Sequence, residues 1–322
     1  MTATSDADRL DLIVTSMALE ADGVLSVELR APDRGTLPSW SPGAHLSLQF
    51  GGAPVRQYSL CGDPSDSRRY RVAVLREPAS RGGSEFVHAT LRVGDHVAVA
   101  PPRNHFPLDV AERYVFVAGG IGITPILPMI AEVSAAGKPW SLHYYGRSRS
   151  SMAFLDDLER YGEAVSVVVP GEPASVRPAD AVAAVGADGR LYACGPSRLM
   201  AELDELASEH GVAELLRTEL FAAPEPDGTE PLDTDAFTVR LEESGLELVV
   251  PPERSILDVV LEAGVDVLHD CAEGICGSCE TSVVSGTPDH RDHVLTAQER
   301  QENSCMMICV SRSTCPVLVL GL

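Results

Sequence analysis

The chain has 322 residues, enough for two or three domains that each bury a hydrophobic core. Its formal net charge of −22 argues against nucleic acid and anionic membrane as partners. The longest apolar runs have only the length of strands, so we expect no membrane span. The N-terminal residues lack a signal pattern, and the eight cysteines fit a reducing compartment, which predicts a cytoplasmic protein.

The first segment, residues 8–110, has the pattern of an antiparallel β-barrel. Short stretches of alternating apolar and polar residues recur along it, and turn signals such as Asp22-Gly23 and Gly94-Asp95 separate them. This rhythm is typical of a small barrel.

Two motifs in this segment together favour a flavin. The first offers an arginine for a phosphate, a tyrosine face for the isoalloxazine ring and a serine donor for flavin N5. The second places two glycines before a short predicted helix, an arrangement that binds anions. Each motif alone is more typical of an ordinary strand or turn. The residues are Arg56, Gln57, Tyr58 and Ser59 in the first motif and Gly82, Gly83 and Ser84 in the second.

The second segment, residues 111–223, alternates strand-like and helical stretches, which predicts an open parallel α/β sheet. After its first strand a glycine run leads into a helix, with Thr124 predicted as N-cap and Pro125 at the first helical position. A pyrophosphate can bind at such a helix N-terminus, although the run lacks the spacing G-x-G-x-x-G. A later helical pattern covers residues 152–161. The glycines of the run are Gly119, Gly120 and Gly122.

Two further stretches of this segment concern the nucleotide. The run Cys194-Gly195-Pro196 closes a later strand, and Cys194 would lie at the nicotinamide if this turn is beside the glycine run. A buried core cysteine is the more usual role for such a residue. After the second strand, the run Arg147-Ser148-Arg149 offers two arginines that suit the 2′-phosphate of NADPH. We find no acidic residue in that run for a ribose diol.

A linker is predicted at residues 224–233, where three prolines and several acidic residues surround one glycine. The third domain, residues 234–322, contains Cys271, Cys276 and Cys279 in the spacing C-x4-C-x2-C, and Cys309 lies thirty residues further on. Three close thiols and a distant one are the ligand arrangement of a plant-type [2Fe–2S] cluster. Structural zinc is the alternative, but such sites usually pair two separate C-x2-C knuckles.

These motifs, in this order, resemble the phthalate dioxygenase reductase family over essentially the whole chain, and most closely its vanillate O-demethylase reductase branch. The resemblance implies a flavin-binding β-barrel, a ferredoxin-reductase-like NAD domain and a C-terminal plant-type ferredoxin with the β-grasp fold. It also implies FMN, with FAD as the alternative, and NADH, with NADPH as the alternative. Cys305 could ligate in place of Cys309, and the likeness to the family's last-ligand segment favours Cys309.

The same resemblance assigns roles to individual residues. Ser59 and Cys194 would take part in hydride transfer, and Phe221 would cover the flavin. FMN would contact the strand motif and its phosphate the glycine motif. The resemblance places Gly120, Thr124, Cys194 and Pro196 at the pyridine-nucleotide site. The motifs themselves add the candidates Gly119, Gly122, Pro125, Arg147, Ser148 and Gly195.

NADH delivers two electrons at once, whereas the cluster accepts one at a time, and a flavin connects the two. We therefore predict an NAD(P)H-dependent oxidoreductase, the monomeric reductase component of a multicomponent oxygenase. Its partner would be a terminal, Rieske-type oxygenase such as an aromatic O-demethylase or dioxygenase. The alternatives are a cytochrome P450 reductase or a general NAD(P)H:acceptor reductase and, more distantly, an iron–sulfur redox sensor.

Acidic residues are abundant in the third domain, with sixteen of them against five arginines in residues 232–322. Asp270 and Glu273 flank a cluster ligand, and Asp289 and Asp292 follow. These residues form either an ordinary solvated face or a docking surface for a basic patch on an oxygenase.

Overall fold

A computed structural model of the protein describes residues 9–49, 55–77, 82–172, 176–221, 235–269 and 271–322. The predicted linker, residues 224–233, and Asp270 lie outside this part of the chain. The described residues belong to two compact units, residues 9–221 and residues 235–322. Among them, no helix has both the length and the apolar character needed to cross a membrane.

The first sheet is an antiparallel barrel with one short helix. Its elements are β1 (Leu10–Ala21), β2 (Val24–Arg30), β3 (Ala44–Gln49), β4 (Arg56–Ser59), β5 (Tyr70–Leu75), α1 (Gly83–Ala89), β6 (His96–Val99) and β7 (Arg103–Asn104). The strands follow the order β4-β3-β6-β1-β2-β5, and β7 pairs with β3. A backbone bridge between Leu60 and Val72 connects the two end strands and closes the barrel. Alternate residues such as Leu12, Val27 and Leu46 fill its interior.

The second sheet is parallel and carries helices on both faces. Its elements are β8 (Arg113–Gly119), α2 (Ile123–Ala135), β9 (Trp140–Tyr145), α3 (Leu155–Glu159), β10 (Val165–Val168), α4 (Pro178–Ala184), β11 (Gly189–Cys194), α5 (Ser197–Glu209) and β12 (Leu216–Glu219). The strands follow the order β10-β9-β8-β11-β12, so the chain reverses its direction of winding between β8 and β11. Ligands of open α/β sheets bind at the carboxyl ends of strands at such a switch point.

The unit of residues 235–322 is built on a mixed sheet. Its elements are β13 (Phe237–Leu241), β14 (Glu247–Val250), α6 (Ile256–Glu262), β15 (Glu280–Ser285), β16 (Pro288–Asp289), α7 (Ala297–Glu302), β17 (Cys305–Met307), β18 (Arg312–Ser313) and β19 (Val317–Leu320). The main sheet has the order β14-β13-β19-β15-β17, and only β13 and β19 pair in parallel. Ser255 is the N-cap of α6 and forms a capping box with Asp258. The apolar face of α6 then packs into the core of the unit.

Candidate functional site

The two predicted flavin motifs lie together in the barrel. Strand β4 carries Arg56 and Tyr58 on the same face, since residues two apart in a strand point the same way. A Cβ atom at Gly83 would lie 3.0 Å from Cγ of Arg56 and 3.3 Å from the Tyr58 hydroxyl. Gly82, just before α1, has φ +105°, a conformation that favours glycine. An arginine, an aromatic ring and a glycine turn are therefore in contact.

The other residues of these motifs take supporting positions. Gln57 pairs with Ser47 of β3, on the next strand of the barrel. The Ser84 hydroxyl accepts the backbone N–H of Glu77 at 3.2 Å, which ties the glycine turn to the end of β5. Burial raises the pKa of Tyr58 to about 12, so its ring stays neutral and can offer an apolar face.

Ser59 and Cys194 meet at a residue that the sequence analysis missed, Glu219. The Ser59 hydroxyl donates to Oε2 of Glu219 at 3.2 Å, across 160 positions of sequence. Cys194 is fully buried and is paired in register with Glu219 at the carboxyl ends of β11 and β12. An acidic residue at the end of a parallel strand is only weak evidence of a functional site, and the sequence alone did not indicate that Glu219 would meet Ser59.

Burial controls the protonation of this group. It raises the pKa of Glu219 to about 8, and the hydrogen bond from Ser59 only partly offsets this effect. Burial and the nearby Glu219 together raise the pKa of the Cys194 thiol well above its ordinary value. At neutral pH the site therefore has a protonated carboxyl, a hydroxyl and a neutral thiol.

The predicted nucleotide turns lie side by side at the switch point. A Cβ atom at Gly122 would lie 2.2 Å from the carbonyl oxygen of Cys194, and one at Gly119 would lie 2.6 Å from Cδ of Pro196. A Cβ atom at Gly195 would lie 3.0 Å from the backbone of Gly119. The backbones of the two turns are thus in direct contact, which leaves room for glycine only.

The predicted start of α2 was wrong. A short 3-10 turn, Gly120–Gly122, runs directly into the helix, so Gly122 takes the N-cap position and Ile123 is the first helical residue. Thr124 and Pro125 therefore lie second and third in the helix, and the Thr124 hydroxyl donates back to the carbonyl of Ile121 at 3.0 Å. Gly120, with φ +54°, makes this early turn possible.

An acidic residue does reach one of the two arginines after β9. Glu172, which follows β10, binds Arg149 through both carboxylate oxygens, at 2.8 to 3.2 Å. The sequence analysis missed this residue because it lies on the neighbouring strand connection. Arg147 is exposed, and the Ser148 hydroxyl hydrogen-bonds to those of Ser150 and Ser151.

Phe221, proposed to cover the flavin, is the last described residue of its unit and is 42% exposed. The carboxyl end of β12 at Glu219 therefore leads directly to an accessible aromatic ring. The position agrees with the role that the resemblance implies, without testing it.

The four predicted cluster ligands form two pairs of thiols. The sulfur of Cys271 lies beside that of Cys276, and the sulfur of Cys279 lies beside that of Cys309. Within the described part of the chain, no group of three or more His, Cys, Asp and Glu side chains could hold one metal ion. A [2Fe–2S] cluster does not need such a group, because its two irons share four thiolates. Two pairs of thiols therefore fit a two-iron cluster better than a single zinc ion.

The loop around these thiols directs N–H groups at the sulfurs. The backbone N–H of Glu273 donates to Sγ of Cys271 at 3.3 Å, and that of Gly274 faces Cys309. Such donors stabilise thiolates that bind iron. Gly274 has φ +69°, and a Cβ atom there would lie 2.5 Å from Val310, so the loop needs glycine at this position.

The predicted docking surface needs a correction. Asp292 is only 1% exposed, so it cannot belong to a solvated face or bind a partner directly. Glu273 and Asp289 retain partial exposure. Arg291 binds the carboxylate of Asp289 at 2.6 Å, so less of its negative charge is available to attract a basic surface on a partner.

Comparisons with known proteins agree with this arrangement. Residues 239–314 match the family profile of the 2Fe-2S iron-sulfur cluster binding domain. The vanillate O-demethylase oxidoreductase of a Pseudomonas species is 40% identical over 319 residues, which are 97% of this chain and 100% of that protein. A solved structure of phthalate dioxygenase reductase has 35% sequence identity and a TM-score of 0.71, and the match covers all of both chains. The chain belongs to the phthalate dioxygenase reductase family.

Membership of the family confirms the predicted fold class, namely a flavin barrel and a parallel NAD sheet of the ferredoxin-reductase type followed by a 2Fe-2S domain. It also confirms that the protein is an oxidoreductase. An intact type IV self-sufficient cytochrome P450 monooxygenase contains a similar region, with 42% identity and a TM-score of 0.89. That match covers 98% of this chain, which spans 41% of the monooxygenase.

Proposed function

We propose that the protein is the reductase component of a multicomponent oxygenase. It takes a hydride from NADH onto FMN and passes single electrons through its [2Fe–2S] cluster to a terminal, Rieske-type oxygenase, such as an aromatic O-demethylase or dioxygenase. The observation that carries the proposal is that Cys271 lies beside Cys276 and Cys279 beside Cys309, within the residues that match the 2Fe-2S domain. A chain with a flavin site, a nucleotide site and such thiols has every part of this electron path.

Residues of the barrel would hold the flavin, which converts a two-electron donor into a one-electron donor when it is bound. The Arg56 guanidinium lies beside Gly83, where it suits the phosphate of FMN. Tyr58 supplies a neutral aromatic face. FMN rather than FAD is proposed from the order of the three domains, which is that of phthalate dioxygenase reductase.

The group around Glu219 would control protons where flavin and nicotinamide meet. Its carboxyl holds a proton at neutral pH, because burial raises its pKa to about 8. The Ser59 hydroxyl donates to it and so stays oriented at the end of β4. Cys194 presents a neutral, buried thiol beside it.

NADH is proposed as the donor because the ion pair of Arg149 and Glu172 disfavours the 2′-phosphate of NADPH. The carboxylate satisfies the guanidinium that would bind this phosphate, and it can accept hydrogen bonds from a ribose diol. Glu172→Gln should therefore raise kcat/KM for NADPH relative to NADH about tenfold. Glu163→Gln, an exposed change at the amino end of β10, serves as the control and should leave the ratio unchanged. An unchanged ratio in Glu172→Gln would contradict this role.

A second candidate function is the reduction of a cytochrome P450. The similar region in the self-sufficient P450 monooxygenase favours it. Reconstitution with a Rieske oxygenase and, separately, with a P450 discriminates the two functions. Only with the true partner should the rate of substrate turnover rise with the concentration of the reductase and then saturate.

The composition of the purified protein tests the proposal as a whole. We expect one flavin, two irons and two acid-labile sulfides per chain, with flavin and iron–sulfur absorption bands that NADH bleaches. Recovery of stoichiometric zinc without acid-labile sulfide would contradict the cluster.

A further inference from the structure

A carboxylate lies in the interior of the unit that would hold the cluster. Asp292 is 1% exposed and its side chain is fully enclosed. Burying a charged group costs free energy unless hydrogen bonds and counter-charges compensate it. A buried acid beside a cluster loop therefore requires a structural or functional reason.

The Asp292 side chain connects the start of α7 to the segment of the last ligand. Its Oδ2 accepts the backbone N–H groups of Val294 at 3.0 Å and Leu295 at 2.8 Å. Its Oδ1 accepts the hydroxyl of Ser311 at 3.4 Å. Ser311 is two residues after Cys309, so the carboxylate holds the chain that carries the fourth thiol.

The backbone beside Asp292 contacts the three-cysteine loop. The N–H of His293 donates to the carbonyl of Gly274 at 2.8 Å. Gly274 packs so closely that a Cβ atom there would lie 3.2 Å from Cα of Asp292. One residue is thus connected to both parts of the chain that supply cluster ligands.

The charge of the carboxylate is only loosely balanced. Nη2 of Arg300 lies 3.9 Å from Oδ2, and that nitrogen donates to the main-chain oxygen of Asp292 instead. Nδ1 of His290 lies 3.8 Å from Oδ1, and its other ring nitrogen is hydrogen-bonded to Asn303. Neither group makes a close, bidentate ion pair, so much of the negative charge remains to act on its surroundings.

We propose that Asp292 is a positioning residue for the [2Fe–2S] cluster that also lowers its reduction potential. This inference rests on the cluster of the proposed function. The contacts of Asp292 hold the Cys309 segment against the three-cysteine loop. One-electron reduction adds a negative charge to the cluster, and the fixed charge of a buried carboxylate opposes that addition.

The experiment compares the cluster potential in the full chain and in Asp292→Asn, by anaerobic redox titration followed by EPR. The amide oxygen can still accept the N–H groups of Val294 and Leu295, so we expect the cluster to be retained at two irons per chain. The reduction potential of the cluster should rise by at least 59 mV, which corresponds to a tenfold change in the equilibrium constant of a one-electron reduction.

Asp289→Asn is the matched control. Asp289 lies three residues earlier, and Arg291 binds its partly exposed carboxylate closely, so its removal should leave the potential unchanged. An unchanged potential in Asp292→Asn with an intact cluster, or an equal shift in the control, would overturn the inference. A parent protein that binds no cluster would instead overturn the proposed function.

If Asp292→Asn does not retain the cluster, the Ser311→Ala variant tests the positioning role of Asp292 instead. This change removes the contact to the Cys309 segment, together with the hydrogen bond that the Arg291 N–H makes to the hydroxyl at 3.1 Å, and keeps the carboxylate. A several-fold faster loss of iron to a chelator at an unshifted potential supports the positioning role. Iron loss at the parent rate contradicts it.

Discussion

At the scale of single residues, the structure favours Cys309 over Cys305 as the fourth cluster ligand. The Cys309 sulfur lies beside that of Cys279, whereas Cys305 lies on β17 and pairs in register with Ser282. Cys309→Ser should therefore lose or strongly perturb the cluster. The changes Cys61→Ser, Cys305→Ser and Cys315→Ser should retain it, as measured by visible absorption and iron content. Loss of the cluster in Cys305→Ser but not in Cys309→Ser would reverse the assignment.

Glu219 should make stability depend on pH. Its pKa is about 8 in the folded protein, against an ordinary value of 4.5 in the unfolded chain, so the folded state binds the proton more tightly. The stabilisation is complete below about pH 4.5 and is lost as the pH rises through about 8. Relative to Glu219→Gln, the parent should lose about 2 kcal/mol of unfolding free energy between these limits, because water still reaches part of the side chain.

The measurement is denaturant unfolding of the flavin-free parent and of Glu219→Gln at several pH values. Thr218→Ser, an exposed change next to Glu219 in β12, is the control and should follow the parent. A constant difference between parent and Glu219→Gln across this range would show that the carboxyl does not titrate as its burial requires.

The sequence indicated those site residues whose partners are close along the chain. The spacing of Cys271, Cys276 and Cys279 is a local property, so it could be recognised without a structure. Glu219 and Glu172 could not be recognised, because their partners are 160 and 23 positions away. Asp292 was assigned to the surface because acidic residues usually are exposed, and its burial depends on packing that the sequence pattern does not show.

At the scale of elements, the contact between the turns after β8 and β11 would form the floor of the proposed nucleotide site. Gly122→Ala should destabilise the protein by about 3 kcal/mol, because its Cβ atom would meet the backbone of Cys194, which cannot move without displacing β11. Gly35→Ala meets only the flexible end of Asp33 and should change stability by less than about 0.5 kcal/mol.

Thermal unfolding of both glycine variants measures this effect, and binding of NADH should weaken only in Gly122→Ala. Equal stabilities of the two variants would show that the turns are not in rigid contact. The direction of the effect does not depend on any bound cofactor, since it follows from backbone distances alone.

Element boundaries were less predictable than element types. The pattern over residues 152–161 predicted one helix, but α3 covers only Leu155–Glu159, because Phe154 has φ +62° and interrupts the helical backbone. The parallel sheet was predictable because strand-like stretches alternate with helical patterns along this segment. The 3-10 start of α2 was not, since it depends on the left-handed conformation of Gly120.

At the scale of the whole molecule, the two compact units each have their own hydrophobic core. A protein truncated beyond about Asp233 should therefore fold, because it keeps the cores of the barrel and the parallel sheet. It should still bind flavin, be reduced by NADH and pass electrons to ferricyanide, but it should reduce cytochrome c poorly. A truncated protein that does not fold would contradict the independence of the units.

The order of electron flow is the central claim, and anaerobic rapid mixing with NADH tests it most directly. Flavin and cluster absorption are followed in the full chain and in the truncated protein. We expect the flavin to be reduced first, at the same rate in both proteins, and the cluster to follow in the full chain only. Cys194→Ala should slow the flavin phase and leave the oxidised cluster spectrum intact. Cluster reduction that precedes flavin reduction, or full activity of the truncated protein with its oxygenase, would contradict the account.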